Sequence, residues 1–169
     1  MVNKLVMMVL SVALLSSCSE NKSSDRSVSE EERTGVSELQ SNSGDMFLLI
    51  GTYTSDNGSK GIYVHKFNTD TGVSDSVSMV EMENPSYLTL SPDMNFVYAV
   101  SEGGEDNSAA YSFSFDRKKG LLTPLNSQPT LSADPCYITI DSKGKNLHTA
   151  NYSGGSITTF HVNSEGGLT

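Results

Sequence analysis

Asn84-Pro-Ser-Tyr-Leu-Thr-Leu-Ser91 and Asp134-Pro-Cys-Tyr-Ile-Thr-Ile-Asp141 repeat one another at an offset of fifty positions, and the pairing runs without a gap to Glu102 and Tyr152. Each copy alternates apolar and polar side chains with the period of a strand. Tandem units near this length, built from short alternating strands, are the signature of a β-propeller blade. Propellers bind ligands at the mouth of a central channel, so the repeat also says where function should sit.

Working outward, the same order of strands and turns recurs. Strands a to d of a blade run from the channel to the outer edge. Phe47–Tyr53, Gly61–Phe67 and Val73–Glu81 read as b, c and d of a first blade. Pro85–Leu90, Phe96–Ser101, Ala109–Phe115 and Leu121–Leu125 read as a complete second blade. Tyr137–Ile140, Asn146–Ala150 and Ser156–Val162 read as a, b and c of a third, with its d strand due at Thr169. The turns Asn68-Thr-Asp-Thr-Gly72, Asp116-Arg-Lys-Lys-Gly120 and Asn163-Ser-Glu-Gly-Gly167 punctuate the blades, and a closing glycine at positive φ is expected in each. The predicted fold is therefore all-β, a β-propeller of about two and a half blades. Closed propellers have about four to eight blades, so the expectation is a fragment or a truncated product. A small open β-sandwich is the alternative.

The residues before the strands read differently. Lys4 and the apolar run Leu5–Leu15 form a secretory leader too short for a stable membrane span. Leu15-Ser16-Ser17-Cys18 resembles the bacterial lipobox, which implies cleavage before Cys18 and its lipidation. Lipid chains there would anchor the protein to a membrane of the cell envelope, on the periplasmic side or in the outer membrane. An ordinary leader with an incidental cysteine is the alternative. Residues 18–45 are rich in Ser, Glu and Asn and cannot bury enough surface to fold, so they read as a flexible tether. That leaves 1–17 as the signal peptide and 46–169 as the folded part.

Composition excludes several classes. The chain has two cysteines and three histidines. With Cys18 lipidated, Cys136 has no intramolecular partner, so no disulfide framework is expected. The histidines lack ligand spacing, and neither a metal centre nor another cofactor is predicted. A formal charge of −9 without a basic stripe argues against nucleic acid as a partner.

Geometry picks out candidate site residues. Strand a leaves one rim of a propeller and strand b returns to it. Asn84, Pro85, Pro135, Cys136 and Tyr137 at the starts therefore share that mouth rim with Thr52, Tyr53, Glu102, Asn151 and Tyr152 at the ends. Glu102 is the one carboxylate in this set and the candidate general base, with a solvated loop carboxylate as the plain alternative. Tyr53, Tyr137, Asn151 and Tyr152 are candidate substrate-binding residues. Gly154 and Gly155 would let backbone approach a ligand, or simply make a tight b–c turn. The opposite turn rim is expected to be structural.

Six motifs carry a resemblance: Ile50-Gly-Thr-Tyr-Thr54, Gly61-Ile-Tyr-Val64, Asn84 to Asp93, Val97-Tyr-Ala-Val-Ser-Glu102, Leu125-Asn-Ser-Gln-Pro129, and Asp134-Pro-Cys136 running to Ala150-Asn-Tyr-Ser-Gly-Gly-Ser156. In order and spacing they resemble the 6-phosphogluconolactonase family of seven-bladed lactonase propellers. The resemblance implies a seven-bladed ring in the full-length parent and hydrolysis of a sugar-acid δ-lactone, with a small-molecule substrate as partner. This chain by itself is expected to be inactive. The family commonly carries histidine after the Pro-Cys pair, where this chain has Tyr137. Tyrosine, with an ordinary pKa near 10, donates a hydrogen bond but is a poor base at neutral pH. Arg117, Lys118, Lys119, Lys143 and Lys145 fall on the turn rim, so the expectation is an unphosphorylated lactone or a phosphate clamp on other blades. The competing readings are a non-catalytic surface-anchored binding module and an inactive truncated product.

Overall fold

The computed structural model describes residues 44–169. The predicted leader, Cys18 and nearly all of the predicted tether lie outside the described residues. Ten strands form three antiparallel sheets. The first holds β1 (Asp45–Ile50), β2 (Gly61–Asn68) and β3 (Ser74–Glu81) in that order. The second holds β4 (Leu88–Leu90), β5 (Phe96–Ser101), β6 (Ala109–Asp116) and β7 (Leu121–Pro129). The third holds β8 (Pro135–Ile140), β9 (Asn146–Asn151) and β10 (Ser156–His161). The pattern of three, four and three strands expected from the sequence is thus present, each sheet a meander running outward from strand a or b.

Several boundaries differ from expectation. β1 begins at Asp45, one residue inside the span read as tether, because Asp45 is tied down by Asn68 Nδ2 at 2.9 Å and by Lys66 Nζ at 2.9 Å. It ends at Ile50, so Thr52 and Tyr53 belong to the loop after it. β7 runs on to Pro129, pairing with Ala109, rather than stopping at Leu125. A one-turn helix, α1 (Gly104–Asn107), interrupts the b–c loop of the second blade. At the chain's end, Leu168 bridges Val162 and Thr169 exchanges backbone hydrogen bonds with His161, which sets out the first residues of a d strand.

The core lies between blades. Ile62, Val64, Val97 and Phe113 are fully buried where the first blade meets the second. Tyr98, Ile138, Leu147 and Leu168 are buried where the second meets the third. Burying each such aliphatic or aromatic side chain contributes about 1.5–3 kcal/mol. These clusters fix the angle between blades and hence the spacing of their loops at the mouth.

Two glycines show how closely the blades approach. A side chain on Gly120 would strike the ring of Phe47, and one on Gly166 would strike Phe96. In both cases the c–d turn of one blade closes over an aromatic ring from strand b of the blade before it. The third turn departs from the expected form. Its positive-φ glycine is Gly166 (φ 82°) rather than Gly167, because this turn is one residue tighter than those ending at Gly72 and Gly120.

Candidate active site at the mouth rim

The mouth rim is built on two residues of left-handed backbone, Asn84 (φ 42°) and Asp134 (φ 52°), the first positions of the two repeat copies. Asn and Asp are the side chains that adopt this conformation most readily. Each also staples two blades. Asn84 Oδ1 accepts from Thr54 N at 2.9 Å, and Asp134 Oδ1 accepts from Gly104 N at 3.1 Å. Their carbonyls accept from Glu102 N and Tyr152 N, so the end of each b strand is fixed to the start of its own a strand.

Asn84 Nδ2 in turn donates to the Glu102 carbonyl at 2.9 Å, which sets the backbone of the candidate base. The Glu102 side chain is half-buried and held from two blades. Tyr53 Oη lies 3.0 Å from both carboxylate oxygens, and Ser86 Oγ donates to Oε1. Partial burial of its ring, and then the hydrogen bond to Glu102, hold the Tyr53 phenol above its ordinary pKa. It therefore stays protonated at neutral pH and acts as a donor to the carboxylate. An ionised carboxyl accepts about four hydrogen bonds. Two hydroxyls leave capacity for a water or a ligand hydroxyl.

Beside this cluster, Tyr137 packs on Tyr87 from the neighbouring blade, with ring centroids 4.7 Å apart and planes tilted by 52°. Tyr87 is half-buried while 44% of Tyr137 is exposed, so the pair offers an open aromatic surface at the mouth. Burial, and secondarily Tyr137, raise the pKa of Tyr87, which like Tyr53 remains a neutral phenol. Cys136 is a free, exposed thiol at the same level.

The structure corrects one expected ligand residue. Asn151 is buried, and its amide is spent inside the third blade. Its Nδ2 donates to Ser156 Oγ at 3.1 Å and to Thr158 Oγ1 at 2.9 Å, and its Oδ1 accepts from Thr149 Oγ1 at 3.0 Å. It holds the b–c turn together. The same turn accounts for the glycines. A side chain on Gly154 would collide with Ser132 Oγ, and Gly155 sits at φ 60°. Of the two readings left open for this loop, the tight turn is the one built. Tyr152 projects from it, 83% exposed, without a hydrogen bond from its hydroxyl among the described residues.

Ser86, Tyr87 and Thr54 complete the rim and were not singled out from the sequence. The signal was available for two of them. Ser86 and Tyr87 stand fifty positions before Cys136 and Tyr137, so the repeat already placed them at the start of strand a. The histidines lie elsewhere, on strands β2, β9 and β10. His65, His148 and His161 each pair through Nδ1 with a neighbouring strand side chain, Ser74, Thr159 and Asn146. Lys60, the lysine nearest this rim in sequence, folds back onto the carbonyls of Ser55 and Asp56.

A profile of the family described as lactonase, 7-bladed beta-propeller, matches residues 47–169. The chain belongs to this lactonase family. It is 31% identical over 121 residues to the 6-phosphogluconolactonase of Bacillus subtilis and 32% identical over 121 residues to that of Formosa agariphila. Each match covers 70% of this chain and 34% of the relative, so the chain spans about a third of the length of the curated relatives it matches. Among solved structures, a candidate 6-phosphogluconolactonase from Bacteroides fragilis is 50% identical with a TM-score of 0.71, covering 75% of this chain and 35% of that one. The periplasmic gluconolactonase of Pseudomonas aeruginosa is 32% identical with a TM-score of 0.68, covering 74% and 36%. The lactonase-family fold and its partial ring agree with the three blades described above.

Proposed function

We propose that the full-length protein opens a sugar-acid lactone with water to give the free acid. The observation that carries this is the Glu102 carboxylate, held at the mouth by Tyr53 and Ser86 in a chain of the lactonase family. Glu102 takes a proton from a water molecule whose oxygen attacks the lactone carbonyl carbon. The ring C–O bond then breaks, and the proton held by Glu102 passes to the departing ring oxygen, which leaves as a hydroxyl. The exposed face of Tyr137 suits stacking of a sugar ring, and Tyr152 suits a sugar hydroxyl.

The reading includes an unphosphorylated substrate, because Lys60 is folded onto its own loop, Lys66 is paired with Asp45, and the remaining folded-part cations Arg117, Lys118, Lys119, Lys143 and Lys145 belong to turns of the opposite rim. It also includes a lipid anchor at Cys18 and residence in the cell envelope, on the strength of the leader and the lipobox-like Leu15–Cys18. A second reading, a non-catalytic propeller that binds sugars, is favoured by one observation: Tyr137 stands where a base would be useful and is a poor one.

A lactone-opening assay on the full-length protein separates these. Glu102→Gln is expected to lower kcat by about 10²–10⁴, the usual contribution of a general base, with gluconolactone preferred over its 6-phosphate. Unchanged turnover in Glu102→Gln would remove Glu102 from the mechanism. Absence of turnover in the unaltered protein, with lactone binding retained, would establish the binding module.

A further inference from the structure

On the turn rim, away from the mouth, a crevice of about 400 Å³ opens between the second and third blades. It is lined by Ser91, Asp93, Phe96, Tyr98, Lys143 and Lys145, among others. Tyr98 forms part of its wall. The residue is wholly buried, yet its hydroxyl has no hydrogen-bond partner among the described residues. A buried hydroxyl without a partner is destabilising, and native structures rarely leave one so.

Among the side chains lining this crevice, those without a hydrogen bond to the described residues are mainly donors: the Tyr98 hydroxyl, the Lys143 and Lys145 ammonium groups and Asn163 Nδ2, with the Ser164 hydroxyl able to serve either way. The Asp93 carboxylate is held to its own turn, where it accepts from Ser91 Oγ at 2.5 Å, Asn95 N at 3.1 Å and Asn95 Nδ2 at 2.7 Å. Asp141 at the base of the facing turn accepts from Lys143 N, Lys145 N and Asn146 Nδ2. Neither Lys143 nor Lys145 forms an ion pair among the described residues, whose pairs are Lys66 with Asp45 and Lys119 with Asp116. Burial, and then the nearby Asp93 charge, push the Tyr98 pKa up to about 12, so the phenol carries its proton at neutral pH.

A guest that accepts from a phenol and from two ammonium groups is a small oxyanion. We propose that this crevice binds a small oxyanion, a carboxylate or a phosphate, through Tyr98 Oη and the ammonium groups of Lys143 and Lys145. The site is separate from the mouth and does not rest on the lactonase reading.

Calorimetric titration of the full-length protein at low ionic strength tests it, with inorganic phosphate in one arm and acetate in the other. One saturable site is expected in at least one arm, and the arm that binds identifies the source of the oxyanion. The Lys143→Ala/Lys145→Ala double variant should weaken it by at least about fivefold, consistent with two partly exposed charges. Tyr98→Phe, which keeps the ring in the core, should weaken it as well, and Glu102→Gln should bind as the unaltered protein does. No saturable binding in either arm would overturn the proposal. So would undiminished affinity in the double lysine variant, or a phosphate-soaked crystal with only a water on Tyr98 Oη.

Discussion

Asn84 does three things that its neighbours in sequence do not reveal. It takes a left-handed backbone, accepts from Thr54 of the preceding blade, and donates to the carbonyl of Glu102. Asn84→Ala removes all the side-chain bonds while keeping the unfavourable φ, and is expected to cost about 2–4 kcal/mol. Asn84→Asp keeps the acceptor, as Asp134 does in the next blade, and loses only the donor, for about 1 kcal/mol. Urea titration of both variants checks the order, and equal losses would refute the account. This role was only partly legible in the sequence. The repeat marked positions 84 and 134, but the reason for Asn and Asp there is a backbone angle and a partner thirty residues upstream. Asn151 shows the converse. A polar residue at the mouth rim reads as a ligand contact, and its burial among Thr149, Ser156 and Thr158 depends on the fold of its own turn.

At the scale of the element, the blades were legible because alternation and turn chemistry both recur. Asn68, Asp116 and Asn163 each place a side-chain oxygen on two backbone N–H groups of a c–d turn. Those hydrogen bonds, first that from Lys118 N, hold the Asp116 carboxyl below 3.8. A depressed folded-state value contributes stability that is complete above the unfolded pKa and is lost as pH falls through the folded one. Asp116→Asn keeps the turn's acceptor, as Asn68 does, without the titration. Its urea midpoint should therefore fall less between pH 5 and pH 2 than that of the unaltered protein. The a–b turns give a second case. Met94 (φ 59°) stands fifty positions before Gly144 (φ 68°), so one blade uses a strained side chain where the next uses glycine. Met94 is 43% exposed and has little burial to lose. Relief of about 1–2 kcal/mol of left-handed strain, less the entropy of glycine, makes Met94→Gly stabilising by about 0.5–1 kcal/mol. A lower denaturation midpoint in that variant would show that the methionine side chain matters more than its backbone.

At the scale of the molecule, each blade is amphipathic in a way that only neighbours on both sides resolve. In β10, Phe160 points to the second blade and is buried, while Ile157 points the other way and is 74% exposed. In the first blade, Ile62 and Val64 of β2 face the second blade, and Met79 of β3 remains 41% exposed. The relatives are about three times as long as the segment they share with this chain, and their further blades have room to cover such flanks. A protein made of residues 44–169 alone lacks that cover, and it also presents the unpaired channel-side edge of β1 and most of the outer edge of β10. Unpaired strand edges and contiguous apolar faces are templates for association. Residues 44–169 should therefore self-associate with rising concentration in sedimentation velocity. Ile157→Lys, which puts a charge on the flank without touching either inter-blade core, should shift the distribution towards monomer. A segment that sediments as a monomer at every concentration would mean the exposed flanks are tolerated by the blades themselves. The inter-blade clusters around Phe113 and Tyr98 would then suffice for a stable part-ring.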